Sequence, residues 1–170
     1  NPPPNRVSVD EAVWMIRASA FGQLVSNGPD GLTASGLPFL ATRRVDDGAT
    51  QLVLRGHLAR ANTQWRHLDG VDVLVIFTPT DGYVSPAWYP SKADNPRVVP
   101  TWNYEVVHVH GQAVVHNDVV WTADLVRELT DHHERERVGE HSIDHTWSVD
   151  DAPPTFVSKQ LFAALQAATG

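Results

Sequence analysis

The run His57-Leu58-Ala59-Arg60-Ala61-Asn62 joins residue types that can hold an anion. It leaves an apolar strand pattern and enters a short helical signal. Backbone N–H groups at a helix start and the Arg60 guanidinium would then converge on one place, which suits a phosphate. Asn62 can cap that helix or bond the ligand. Spacing alone leaves open the plainer alternative of a capped turn with a solvated arginine. Trp65 is expected to pack under the helix rather than to touch a ligand.

A second stretch, Asp81 to Gly111, orders its residues differently. The turn Asp81-Gly82 leads to Tyr83, Ser85, Trp88 and Tyr89. A proline-rich loop with Lys92, Asp94 and Arg97 follows, and Trp102-Asn103-Tyr104 opens what reads as one long alternating strand to His116. Trp and Tyr pair an apolar body with a polar tip, so two such clusters joined by a polar loop make poor core and good pocket. A flat, partly polar ligand fits that lining. Ser85 precedes a proline and has no Gly-x-Ser-x-Gly elbow, so bonding a ligand is a more economical role than attack. No catalytic residue is assigned.

Metal chemistry finds less support. His108, His110 and His116 share one strand face, but strand residues two apart sit about 6.7 Å apart and no carboxylate accompanies them. A barrel wall offering imidazoles to neighbours is the blander reading. His132, His133 and Glu134 fall near a helix end, where cationic side chains suit the dipole. His141, Asp144 and His145 lie in a stretch with weak helix signal. No metal site is expected. A P-loop and a dinucleotide Gly-x-Gly-x-x-Gly are absent, so any redox chemistry must come from a bound flavin.

The surrounding chain must position these groups. Its 170 residues suffice for one domain with a sizeable core. With 13 Lys and Arg against 20 Asp and Glu, the formal charge of −7 opposes a broad nucleic-acid footprint. There are no cysteines, hence no disulfides and no thiolate chemistry. Residues 1–7 read as a disordered tail before a single domain over 8–170. The lack of a signal-peptide pattern points to the cytoplasm. No run approaches the roughly 18 apolar residues a membrane span needs.

Ser8-Val9-Asp10-Glu11 is a capping box for a helix running to about Ala20, with Gly22 ending it. Strands are expected at Gln23–Asn27, at Leu32–Thr42 with a bulge or edge near Gly36 and Pro38, and after the Asp46-Asp47-Gly48 turn. Val71–Thr78 is the most apolar strand, and Glu105–His116 alternates cleanly. Thr122 caps a helix to about Arg137, stapled by Trp121 and Val126. Asp151-Ala152-Pro153-Pro154 opens a second helix burying Val157, Leu161, Ala164, Leu165 and Ala168. The sum is mainly β, within the α+β class: a small six-stranded antiparallel barrel, one helix before it and a helical C-terminal part over 121–170.

Three blocks resemble one family. GHLARANTQW (56–65), GYVSPAWY (82–89) and VPTWNYEVVHVHG (99–111) are similar to the signature blocks of the PaiB-like FMN-binding negative transcriptional regulators. The resemblance runs from about Val9 to Leu165 and takes in WSVDDAPPTFV (147–157). It implies an FMN-binding split barrel related to pyridoxamine-phosphate-oxidase-like flavoproteins, and a homodimer with flavin at the interface. By the same resemblance His57, Arg60 and Asn62 hold the FMN phosphate and ribityl chain, with Lys92 a weaker phosphate candidate. Ser85, Trp88, Tyr89, Thr101, Trp102 and Asn103 surround the isoalloxazine and the interface. The sequence departs from the family at Gly36, where histidine is common, and at Thr63, where proline is usual. Relatives continue past residue 170 into another strand, so a barrel edge is expected to be incomplete. The function implied is a flavin-linked regulator working through redox sensing or a protein partner, with direct DNA binding unsupported by charge. The alternative is a flavin-dependent oxidoreductase of small molecules.

Overall fold

In the computed structural model, which describes residues 8–46, 49–92, 97–140 and 160–167, the first helix begins where its cap predicts. Ser8 Oγ accepts from the Glu11 N–H at 3.2 Å, opening α1 (Val9–Ser19). The helix ends at Ala20, in the left-handed region with φ 50°, and not at Gly22. Gly22 serves another purpose: a Cβ there would lie 2.7 Å from the Phe77 ring. Val13, Met15 and Ile16 put the buried face of α1 into the main core. Residues 1–7 and the tip residues 47 and 48 lie outside the described ones.

Among the described residues eight strands follow. They are β1 (Phe21–Gly28), β2 (Gly31–Asp46), β3 (Ala49–Ala59), β4 (Asp72–Phe77), β5 (Asp81–Val84), β6 (Thr101–Tyr104), β7 (Val107–His116) and β8 (Gln160–Ala167). Six close an antiparallel barrel in the order β1-β2-β3-β8-β7-β4, and β5 pairs with β6 as a separate ribbon. Closure leaves the barrel without an edge. Alternate side chains fill it, among them Leu24, Leu54, Leu58, Val75, Phe77 and Ala113. Phe77 packs edge-on to Phe39 with ring centroids 5.6 Å apart.

The expected bulge near Pro38 is a change of partner. β2 pairs with β1 through Pro38 and with β3 from Phe39 onward. Proline has no N–H to give, and the next N–H, of Phe39, bonds Ala20 O at 2.7 Å. The strand expected to run from Trp102 to His116 is two, β6 and β7. They part at Glu105, whose N–H bonds Thr80 O at 2.9 Å.

Two expectations for the C-terminal part are corrected. Helix α2 (Val119–Glu140) is capped by Asp118, whose Oδ1 accepts from the Trp121 N–H at 2.8 Å, and not by Thr122, which is buried within the helix. The second helix is absent over residues 160–167. That segment is β8, paired with β3 (Leu54↔Leu165) and β7 (Ala113↔Leu165). With it the six-stranded barrel closes. Residues 141–159, with His141, Asp144, His145 and the 151–154 helix start, lie outside the described residues.

Helix α2 lies on the outside of the barrel. Leu125, Val126 and Leu129 pack on Leu40 of β2 and on Trp121. Arg55 of β3 donates to both carboxylate oxygens of Glu128, at 2.7 and 2.5 Å. His116 stacks on Trp121 at 4.3 Å.

Candidate functional site

Along β3, Leu52, Leu54, Gly56 and Leu58 are buried in the barrel, which turns Arg55 and His57 to the outer wall. His57 is half-buried there, and desolvation lowers its pKa below the usual 6.5, favouring neutral imidazole. The strand ends at Ala59, and the chain turns through Arg60. Two bonds hold that turn: Asn62 N–H to Ala59 O at 2.8 Å, and the Trp65 indole N–H to Arg60 O at 3.1 Å. Trp65 thus packs against the core and braces the turn, as expected. The Arg60 side chain stands in solvent beside it.

Asn62 works with both ends of its amide. Oδ1 accepts from the Gln64 N–H at 3.0 Å, capping the short 3-10 helix Thr63–His67, and Nδ2 donates to Ser35 Oγ at 2.7 Å. Ser35 lies on β2, 27 residues earlier, and nothing local in the sequence marks it. Gly36 beside it is covered by Phe21, whose ring would lie 2.7 Å from a Cβ at that position.

The second and third blocks meet on the ribbon. Register pairs Tyr83 with Trp102, Gly82 with Asn103 and Val84 with Thr101. The Tyr83 and Trp102 rings are 6.1 Å apart, and the Trp102 indole N–H donates to Asp81 Oδ1 at 3.2 Å. Asp81 was seen in the sequence only as part of a turn. Ser85 caps the short 3-10 helix Pro86–Trp88 through its Oγ, which accepts from Ala87 N–H at 3.2 Å. Lys92 follows, exposed, its N–H bonded to Tyr89 O. The aromatic rings face outward: Trp88 is 69% exposed, Tyr104 65% and Trp102 54%, with Tyr83 and Tyr89 also in solvent.

The candidate residues therefore form two groups. His57, Arg60 and Asn62 sit where β3 leaves the barrel; Ser85, Trp88, Tyr89, Lys92, Thr101, Trp102 and Asn103 sit on and beside the ribbon. Within one chain, separate sheets carry them. An open cavity of about 640 Å³ lies elsewhere, lined by Asp72, His110, Gln112 and Val114 among others. His108 and His110 stand exposed on that outer wall, in register with Ile76 and Leu74, as a wall of imidazoles would have them. Among the described residues, no three His, Asp or Glu side chains are grouped to hold a metal ion.

The chain as a whole resembles known proteins. The model of a family described as "Putative FMN-binding domain" matches residues 2–166. An uncharacterized protein of Saccharomyces cerevisiae is 36% identical over 127 residues, covering 71% of this chain and 73% of the yeast protein. The Bacillus subtilis protein "Protease synthase and sporulation protein PAI 2", which is PaiB, is 34% identical over 127 residues. That match covers 74% of this chain and 55% of the Bacillus protein. Among solved structures, an FAD- and heme-binding protein of Mycobacterium smegmatis superposes with a TM-score of 0.62 at 17% identity. It covers 96% of this chain and 68% of that one, a likeness of fold alone.

Proposed function

This chain belongs to the FMN-binding domain family, and from that premise we propose that it is a flavin-linked regulator of the PaiB type. In this reading it works as a homodimer that holds FMN between subunits. The observation that carries the reading is the division of the candidate residues between two sheets, with the aromatic half turned to solvent. A two-stranded ribbon is marginal alone, and large exposed rings mark a surface made to be covered. A second copy brings one chain's ribbon to the other chain's β3 terminus.

The donor set fits FMN. Arg60 and, more weakly, Lys92 offer fixed positive charge to the phosphate. Asn62, His57 and Ser85 offer hydrogen-bonding groups to the ribityl chain. Trp88, Tyr89, Thr101, Trp102 and Asn103 offer flat and polar surface to the isoalloxazine. Lowered by burial, the His57 pKa keeps the imidazole neutral, able to accept as well as donate beside the cofactor. When bound, the flavin supplies electron and hydride transfer, which no side chain here can. The protein's part is to bind it, orient it and exclude water.

The charge of −7 favours regulation through the flavin's redox state or a protein partner over a broad DNA footprint. Among the described residues, no helix is long and apolar enough to cross a membrane. Absorbance spectra of the purified protein, with and without added FMN, test the reading. Flavin bands titrating to one site per chain, and weakened in Arg60→Ala, are expected. A wild-type protein that takes up no FMN overturns it. Reduction by NAD(P)H with sustained turnover would replace the regulator by the oxidoreductase alternative.

A further inference from the structure

Trp102 is more than half exposed on a two-stranded ribbon, yet its ring is held at two points. Its indole N–H donates to Asp81 Oδ1 at 3.2 Å. The Tyr83 ring lies 6.1 Å from it, centroid to centroid, tilted by 54°. Cross-strand partners share a face of a sheet, as do residues two apart along one strand. The pairs Asp81↔Tyr104 and Tyr83↔Trp102 therefore set these four side chains on one face of the ribbon.

An indole has one donor and no acceptor. Asp81 takes that donor with an ionised oxygen, which makes the bond a strong one of its kind, and so fixes the polar tip of the ring. Tyr83 flanks the apolar body at a distance usual for aromatic pairs. An exposed ring lacking such contacts samples several rotamers and must be ordered when a ligand covers it. Ordering one such side chain costs about 0.5–1.5 kcal/mol, a cost that a ring already held avoids.

We propose that Asp81 is a positioning residue of the flavin site. It acts through Trp102, holding the indole in one orientation before the isoalloxazine arrives. This role rests on the flavin reading above, and neither Asp81 nor Tyr83 belongs to the residues assigned there.

The test has a flavin-free arm and a titration. In flavin-free, nitrogen-15-labelled protein, the Trp102 indole N–H resonance is assigned by its loss in Trp102→Phe. It should move toward the position of a free indole in Asp81→Ala and stay near that of the wild type in Asp81→Asn, which keeps an acceptor oxygen. FMN titration should give a dissociation constant about fivefold higher for Asp81→Ala and within about twofold of the wild type for Asp81→Asn. In the Trp102→Phe background the donor is gone, so Asp81→Ala should have no further effect. An equal loss in that background, as general damage to the ribbon would give, overturns the proposal. So does an unmoved indole resonance, or wild-type FMN affinity in Asp81→Ala. A wild-type protein that takes up no FMN overturns the flavin reading and this role with it, whereas FMN binding untouched by the Asp81 variants removes Asp81 alone.

Discussion

Asn62 Nδ2 and Ser35 Oγ meet at 2.7 Å, joining the turn after β3 to the first half of β2, 27 residues earlier in the chain. Since Asn62 Oδ1 also caps the following 3-10 helix, one side chain fixes the backbone that carries Arg60. The two jobs can be separated. Asn62→Asp keeps an acceptor for the Gln64 N–H and can accept from the Ser35 hydroxyl, so stability should fall little. Asn62→Ala loses both contacts and should cost about 1–2 kcal/mol in urea denaturation. FMN affinity should follow a different order. The aspartate places negative charge beside the proposed phosphate site, so Asn62→Asp should bind FMN more weakly than Asn62→Ala. Equal affinities in the two would remove Asn62 from that site.

His57 should make stability depend on pH in a defined direction. Burial lowers its pKa in the folded protein below 6.5, so the unfolded chain binds the proton more readily. Stability is therefore full above about 6.5 and is lost as pH falls from there toward the folded-state pKa, levelling off below it. Denaturation of the wild type and His57→Gln across this range isolates the contribution. The difference between them should shift in favour of the variant as pH falls. A constant difference would show that His57 is not held neutral.

What the sequence disclosed was mostly local. The Ser8 cap was legible because its partner Glu11 is three residues away. The barrel strands were legible because one buried face imposes alternation. The segment Leu161–Leu165 misled because Leu and Ala favour helix and its spacing fits a 3.6-residue period. Pairing with both β3 and β7 outweighs that preference. Thr122 was a plausible cap by type, but Asp118 lies one turn earlier and meets the orphan N–H groups. Of the site, the three blocks were readable as runs. The Asn62–Ser35 bond and the buried Gln64 amide were not, because their partners are distant in sequence.

Gly22 is required by Phe77. The approach of 2.7 Å is to a ring that is fully buried and edge-packed on Phe39, so the ring cannot swing aside. Gly22→Ala should therefore destabilise the barrel by about 1–3 kcal/mol through overpacking. Gly28→Ala, on the same strand, is the control. Its nearest contact is 3.9 Å, and the change there should stay within about 0.5 kcal/mol. Equal effects at the two positions would mean that the strand, and not the ring, sets the cost.

The ribbon predicts the oligomer. Trp88 and Tyr104 are more than half exposed, so replacing them leaves the barrel core untouched. If they lie in a subunit interface, aromatic anchors of this kind carry much of its energy. Trp88→Ser and Tyr104→Ser should then each raise the dimer dissociation constant about tenfold or more, with the far-ultraviolet spectrum unchanged. Sedimentation velocity over a concentration series reads this directly. FMN affinity should fall together with dimer affinity, because the two groups of candidate residues lie on separate sheets within one chain. A wild-type protein that stays monomeric while binding FMN at full strength would place the whole site within one subunit. The ribbon would then fold over the flavin of its own chain.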